Sequence, residues 1–218
     1  MNNLVIVESY NDKFFIEKMS KTLGLGNISI DEPICNLYDF ECLDGLTNLG
    51  HRLNEVKARI DRYEKIGIIL DADDNGVDKR IEFVNECLVG ICSDVKLAQT
   101  NKFVKSAELD VEIGCYITNI DGFGELDTVL KVIAKKDSAY ADCLESWKEC
   151  LEKKGKEITK KDFDKFWVSN YLRFDTCDKK EKKQAGIKCK GEIAIKKDIW
   201  DFDNPVLEGL KAFLLQLA

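Results

Sequence analysis

The chain has 218 residues, 44% of them hydrophobic, and a net charge of −7, which allows one α/β domain with a sizeable core and argues against a protein that simply coats nucleic acid. A single histidine, His51, argues against Ser-His-Asp, Cys-His and histidine-based metal chemistry and is expected at the surface or as a cap where a helix opens, while nine cysteines lack any Cys-x-x-Cys spacing. No apolar run approaches a membrane span and Met-Asn-Asn leads straight into a strand-like segment, so the expectation is a cytoplasmic protein with no membrane partner.

In chain order, Leu4-Val5-Ile6-Val7 reads as a short buried strand ending in Glu8. Ser9 and Asp12 form a capping-box pattern, after which Phe15, Met19 and Leu23 recur at helical spacing until Gly24-Leu25-Gly26 stops the helix. Ile28, Ile30, Ile34 and Leu37 suggest one or two short strands around Pro33, with another at residues 40–43. Leu49, Leu53, Val56, Ile60 and Tyr63 predict an amphipathic helix feeding the central strand, Ile66-Gly67-Ile68-Ile69-Leu70. That strand delivers Asp71-Ala72-Asp73-Asp74-Asn75-Gly76, and Val77, Ile81, Val84 and Leu88 then mark a helix. Residues 95–111 are poorly defined and have room for one more strand. A further strand at residues 115–120 runs through Asp121-Gly122-Phe123-Gly124 into a helix marked by Leu126, Val129, Leu130 and Ile133. This alternation predicts an α/β, doubly wound, mostly parallel sheet of Rossmann-like type with right-handed crossovers.

The C-terminal part reads as a helical, Lys-rich extension. Tyr140, Cys143, Leu144, Trp147 and Leu151 predict one helix, and Phe163, Phe166, Trp167 and Tyr171 another after the cap pattern Thr159-x-x-Asp162. Residues 175–190 look like a mobile Lys-rich loop, and Asn204-Pro205 opens a last helix through Leu207, Leu210, Phe213, Leu214 and Leu217. Residues 148–197 hold 16 Lys and Arg against 9 Asp and Glu, a local +7 that leaves −14 for the remainder. A basic appendage on an acidic sheet domain suits a polyanion contact, and equally a solvated helical face. The division expected is 1–135 for the α/β domain and 136–218 for the extension, packed on the same core. Cys87, Cys92, Cys143 and Cys150 fall within apolar periodic segments and are expected as small buried thiols rather than disulfides or zinc ligands.

Asp71 and Asp73 project from the carboxyl end of a central strand, where open α/β sheets build ligand sites, and two such carboxylates suit one hard cation. Asp71, Asp73, Asn75, Gly76 and Glu82 also occupy the positions of a calcium-binding EF-hand loop. Such a loop needs a preceding helix, and here a β-branched segment precedes it and Asp78 stands where an apolar residue belongs. A haloacid-dehalogenase phosphatase would use Asp71 as nucleophile and Asp73 as acid, but Asn75 stands where Thr or Val is expected. The plainest reading of Glu8, Asp71 and Asp73 is strand-end carboxylates capping the next helix, a role compatible with coordination. Asp12, Asp74 and Asp127 fit capping or solvation as well as a metal role.

Val7-Glu8-Ser9-x-x-Asp12, Leu70-Asp71-Ala72-Asp73-Asp74-Asn75-Gly76 and Gly124-Glu125-Leu126-Asp127 together resemble the Toprim fold of topoisomerases, bacterial primases, recombination proteins and OLD-family nucleases. More narrowly, the chain resembles small, stand-alone, OLD-like Toprim proteins, well over residues 4–133 and loosely beyond. Two departures stand out: Ser9 occupies a position where many Toprim domains carry Gly, and Asp127 is one methylene shorter than the Glu common there. The resemblance implies Mg2+ or Mn2+ held by Glu8, Asp71 and Asp73, with Asp127 supporting a second ion and Asp12, Asp74 and Glu125 as supporting residues. It implies hydrolysis or nicking of nucleic acid, with Glu8 as ligand or general acid/base. OLD nucleases depend on a fused ATPase, and no Gly-x-x-x-x-Gly-Lys-Ser/Thr occurs here, so a separately encoded ATPase is the implied partner. The competing expectation is a non-catalytic nucleic-acid- or protein-binding module, with Lys179, Lys180, Lys182 and Lys183 as candidate nucleic-acid contacts. Trp147, Trp167 and Tyr171 follow helical spacing and belong to the core on this reading.

Overall fold

Branched aliphatic side chains alternate across residues 4–7, 66–70 and 113–117, and both sets are buried, which forces a sheet covered on its two faces. The computed structural model describes residues 2–35 and 45–218. Its elements run β1 (Asn2–Val7), α1 (Tyr10–Thr22), β2 (Ile28–Ile30), α2 (Gly45–Lys57), β3 (Tyr63–Asp71), α3 (Val77–Val89), β4 (Phe103–Ser106), β5 (Val111–Thr118), α4 (Leu126–Val132) and α5 (Cys143–Lys153). They continue with α6 (Lys160–Asn170), α7 (Ala185–Lys188), α8 (Gly191–Ile195) and α9 (Glu208–Leu217), and a π-helical turn at Tyr171–Asp175 prolongs α6. The sheet order is β2-β1-β3-β5-β4. The pairs β1–β2, β1–β3 and β3–β5 are parallel, and β4 lies antiparallel on β5. The protein is therefore α/β and Rossmann-like, a mostly parallel sheet with helices on both faces.

On one face Leu4, Ile6, Ile66, Ile68, Leu70, Ile113 and Ile117 meet the apolar stripes of α2 and α3, including Leu49, Leu53, Ile81 and Val84. On the other, Val5, Val7, Ile69 and Tyr116 meet Phe15, Ile16 and Met19 of α1 together with Trp167, Tyr171, Trp200 and Phe213 from the C-terminal third. Each such side chain contributes on the order of 1.5–3 kcal/mol by leaving water. Room for the aromatics on this second face comes from Gly67 and Gly114, which are ladder neighbours. A Cβ at Gly67 would stand 3.0 Å from the Phe213 ring and one at Gly114 2.9 Å from Phe103, and the two rings stack at 5.2 Å. The end of α9 is tied down where its carbonyls have no helical partner: Asn3 Nδ2 donates to the Leu217 carbonyl at 2.5 Å and Asn27 Nδ2 to that of Ala218 at 2.5 Å.

Several expectations need correction. The helix before the central strand ends at Lys57, and Tyr63 belongs to β3 because residues 63–65 pair with β1 and β5, a ladder that outweighs the helical period. The one strand within residues 95–111 is antiparallel. Tyr140 lies before α5, in a turn held by Asp175, which accepts from Ser138 Oγ at 2.5 Å and the Tyr140 N–H at 3.3 Å. Residues 175–190 are not an open loop: a Cys177–Cys189 disulfide closes them around a 3-10 turn, Glu181–Gln184, and α7. Cys92 is buried as expected and Cys87 half-buried, whereas Cys143 and Cys150 are exposed on α5, which buries no residue and leaves Trp147, expected in the core with Trp167 and Tyr171, exposed as well. The calcium-loop pattern is preceded by β3, a strand, as its rejection requires. The strand expected at residues 40–43 and the position of Leu37 lie outside the described residues. Among those residues no helix is long and apolar enough to cross a membrane.

Candidate acidic site

The site is assembled at the carboxyl ends of β1, β3 and β5. Glu8 follows β1 directly, and Ser9, extended at φ −126°, caps α1 without needing the left-handed backbone that glycine would supply. Asp12 completes the capping box: its Oδ2 accepts from the Ser9 N–H at 2.9 Å and from Ser9 Oγ at 2.6 Å, and its own N–H donates to Ser9 Oγ at 3.3 Å. Burial pushes the Asp12 carboxyl up to about 7, against the lowering by the Ser9 hydroxyl, with the charges of Glu8 and Asp127 adding to the rise.

Asp71 is the last residue of β3, and its N–H donates to Glu8 Oε2 at 3.2 Å, which locks the two strand ends together. Burial raises the Asp71 carboxyl well above the usual range, and Asp12, Glu8, Glu125 and Asp73 all push in the same direction. Burial also raises Glu8, partly offset by the Asp71 N–H, with Asp73 raising it further and Arg80 and Lys161 lowering it. Asp71 Oδ1 is buried with no hydrogen-bond partner. Asp73 adopts φ +47° and pairs with Gly124 by two backbone bonds, N–H to carbonyl at 2.8 and 3.0 Å. The loop after β3 is thereby sewn to the turn before α4.

That turn delivers Glu125, a buried residue whose N–H donates to Thr128 Oγ1 at 3.4 Å. Gly124, at φ +96°, is confined to glycine twice over, since a Cβ would also meet Thr128 Oγ1 at 2.8 Å. Burial pushes the Glu125 carboxyl up to about 7 despite the Lys165 ammonium, which stands 3.3 Å from Oε2. Lys161 bridges Asp73 at 3.2 Å and Glu125 at 3.8 Å. On the far side of Asp73, the buried guanidinium of Arg80 donates to Oδ2.

Glu8, Asp12, Asp71, Asp73 and Glu125 thus converge. Of the two acids in the Gly124 to Asp127 segment, Glu125 is the one whose charge acts on Asp71. Asp127 acts on Asp12 instead, and burial pushes its own carboxyl up to about 6 against Lys165. Asp74 is exposed and lines an adjoining shallow cleft, open to solvent, with Asp73, Ile120, Phe123, Glu125, Lys160 and Lys161. Lys179, Lys180, Lys182 and Lys183 are exposed on the disulfide-closed turn, where Lys182 Nζ donates to the Phe174 carbonyl at 3.1 Å. The cations that reach the acidic site are Arg80, Lys161 and Lys165, none of which the sequence reading singled out. Arg80 carried a signal, being a charge set on the apolar stripe between Val77 and Val84. Lys161 and Lys165 carried only their i,i+4 spacing.

Among the described residues no group of three or more His, Cys, Asp or Glu side chains stands in metal-holding geometry. The charge balance still suits a cation beside Glu8 and Asp71: burial raises both carboxyls, the Asp73 charge adds to the rise in each, and Asp71 Oδ1 lacks a donor. Asp73 is already served by Arg80 and Lys161.

Fold and site together define an α/β protein with an acidic pocket at the carboxyl ends of its parallel strands. The chain belongs to the family described as Protein of unknown function (DUF3226), whose model matches residues 2–218. No curated protein matches it, and no solved structure does.

Proposed function

We propose that the acidic pocket is a Toprim-type site that hydrolyses or nicks nucleic-acid phosphodiesters with Mg2+ or Mn2+. The observation that carries this reading is the unpartnered, buried Asp71 Oδ1 facing a cluster of carboxylates from three separate chain segments. Glu8 and Asp71 would hold the ion, with Asp73 at the rim. When bound, such an ion neutralises the charge developing on a phosphodiester and orients water. Lys161 and Lys165 offer positive charge to a phosphate entering over Glu125. With its carboxyl near 7, Glu125 can take or give a proton at neutral pH, as a general acid or base requires. A separately encoded ATPase is the partner proposed to couple this chemistry to a biological task.

The test is cleavage of single- and double-stranded DNA and RNA by purified protein in manganese. Cleavage is expected, with Asp71→Asn and Glu8→Gln each lowering the rate on the order of a hundredfold or more. No cleavage of any substrate by the parent would sink the catalytic reading. One observation favours the alternative of a non-catalytic nucleic-acid-binding module: Arg80 and Lys161 already neutralise Asp73 from within. On that reading the parent binds nucleic acid but never cuts it.

A further inference from the structure

The cleft beside the acidic pocket has walls of different chemistry. Ile120 and Phe123 are apolar, Lys160 and Lys161 are cationic, and Asp73, Asp74 and Glu125 are acidic, Asp73 and Glu125 being shared with the pocket. Phe123 is 56% exposed at the edge of this cleft. Its support is a two-residue turn closed in both directions, Ile120 N–H to Phe123 carbonyl at 2.7 Å and Phe123 N–H to Ile120 carbonyl at 3.2 Å. Asp121 and Gly122 hold φ +53° and +91° at the tip, and Asn119 Oδ1 accepts from the Gly122 N–H at 2.9 Å. The ring passes closely over Gly76, where a Cβ would stand 3.1 Å from Phe123 Cε1. One part of the ring therefore rests on backbone while the remainder faces solvent.

We propose that this cleft seats one unpaired nucleotide of a substrate strand, its base stacked on Phe123 and its phosphate between Lys160 and Lys161. This deepens the phosphodiester reading of the acidic pocket and rests on it, naming the substrate class as single-stranded or end-frayed nucleic acid. Inside a duplex each base is stacked above and below and has no face to offer, whereas an unpaired base has one. The Lys160 side chain is 70% exposed and tethered only on one side, to Asp164 at 2.5 Å, so its ammonium can reach a phosphate. A purely ionic ligand would leave Phe123 uncovered, and a purely apolar one would make no use of the Lys160 ammonium, whose side chain is 70% exposed. A nucleotide satisfies both walls. Stacking on a ring face reads no hydrogen-bond pattern, so binding is tolerant of base identity.

The experiment is fluorescence anisotropy with a labelled oligothymidylate and a labelled blunt duplex, both in EDTA so that no strand is cut. The parent is expected to bind the single strand more tightly than the duplex. Phe123→Ala should weaken single-strand binding about tenfold, Phe123→Trp should retain it, and duplex binding should be unchanged. Lys160→Gln should lower the salt dependence by about one phosphate contact. Equal affinity for both probes, no binding of either, or an unchanged affinity in Phe123→Ala would overturn the proposal. Should Phe123→Ala shift the melting temperature, Phe123→Trp and Lys160→Gln decide on surface contacts alone. Cleavage is scored separately: selective, Phe123-dependent binding without cleavage in manganese sinks the nuclease reading and keeps the cleft, while cleavage with Phe123-independent binding does the reverse.

Discussion

Asp71 concentrates the tension in this molecule. It ends a strand buried on both faces, shares its surroundings with Glu8, Asp12 and Glu125, and has one carboxylate oxygen with no donor. Every one of those neighbours disfavours its ionised form. Asp71→Asn removes one charge while keeping the shape, so without divalent ions at pH 8 the variant should be more stable than the parent by on the order of 1–3 kcal/mol. Manganese should then raise the parent's melting temperature and leave that of the variant nearly unmoved. A variant less stable than the parent in EDTA would show that the carboxylate is satisfied by a group other than a metal. Glu8, Asp71 and Asp73 were legible from sequence because each follows a buried strand at the end where α/β sheets place their sites. Lys161 was not: it meets Asp73 across 88 residues, a pairing that no local pattern encodes. Glu125 and Asp127 were both candidates in the sequence, and nothing local decided that the Glu125 charge is the one raising Asp71.

Among the elements, the turn between Cys177 and Cys189 departs most from its composition. Its lysines suggest an open, solvated segment, yet both cysteines are buried, their Cα atoms are 5.9 Å apart, and Asp178 Oδ1 accepts from the N–H groups of Lys180 and Glu181 at 2.6 and 2.8 Å. Lys197 Nζ lies 2.9 Å from Glu181 Oε2 and binds the turn to the chain beyond it. Closing a segment of this length stabilises by about 2–3 kcal/mol, chiefly by limiting the unfolded chain. Reduction, or a Cys177→Ser, Cys189→Ser double variant, should therefore lower stability by about that amount and speed tryptic cutting at Lys179 to Lys183. Identical digestion of oxidised and reduced protein would mean that the Asp178 cap and Lys197 hold the turn unaided. The strand β1, the body of β3 and the helices α1, α3 and α9 were readable because one residue period served each, whereas β5 runs from Val111 to Thr118 rather than over 115–120. The antiparallel β4 and residues 63–65 were not, since ladder pairing with distant strands overrides local period there.

At the scale of the whole molecule, the charge asymmetry along the chain becomes a spatial one. The basic C-terminal third packs its aromatics on one sheet face and lays Lys161 and Lys165 over the acidic pocket of the first half. These cations do not offset the cost of burial, which pushes Asp12 and Glu125 up to about 7 and Asp127 up to about 6. All three lie above their ordinary values of 3.8, 4.5 and 3.8, so between about pH 4 and pH 7 the folded protein holds protons that the unfolded chain has released. Stability from these groups is fully present below the lower limit and is lost as pH rises through the upper one. The carboxyls with lowered values, such as Asp94, Asp110 and Asp198, have the opposite sign, but they act only below about pH 4 and are exposed and screened. In EDTA the urea midpoint should therefore fall from pH 4.5 to pH 7.5, unlike that of an ordinary acidic protein, which is most stable between about pH 5 and 8. Manganese binding requires deprotonated carboxylates, so its stabilising effect should grow over the same interval and offset the fall. A midpoint that rises from pH 4.5 to 7.5 in EDTA would mean that internal cations, Arg80 and Lys161 foremost, already satisfy the pocket, and the case for a metal there would go with it.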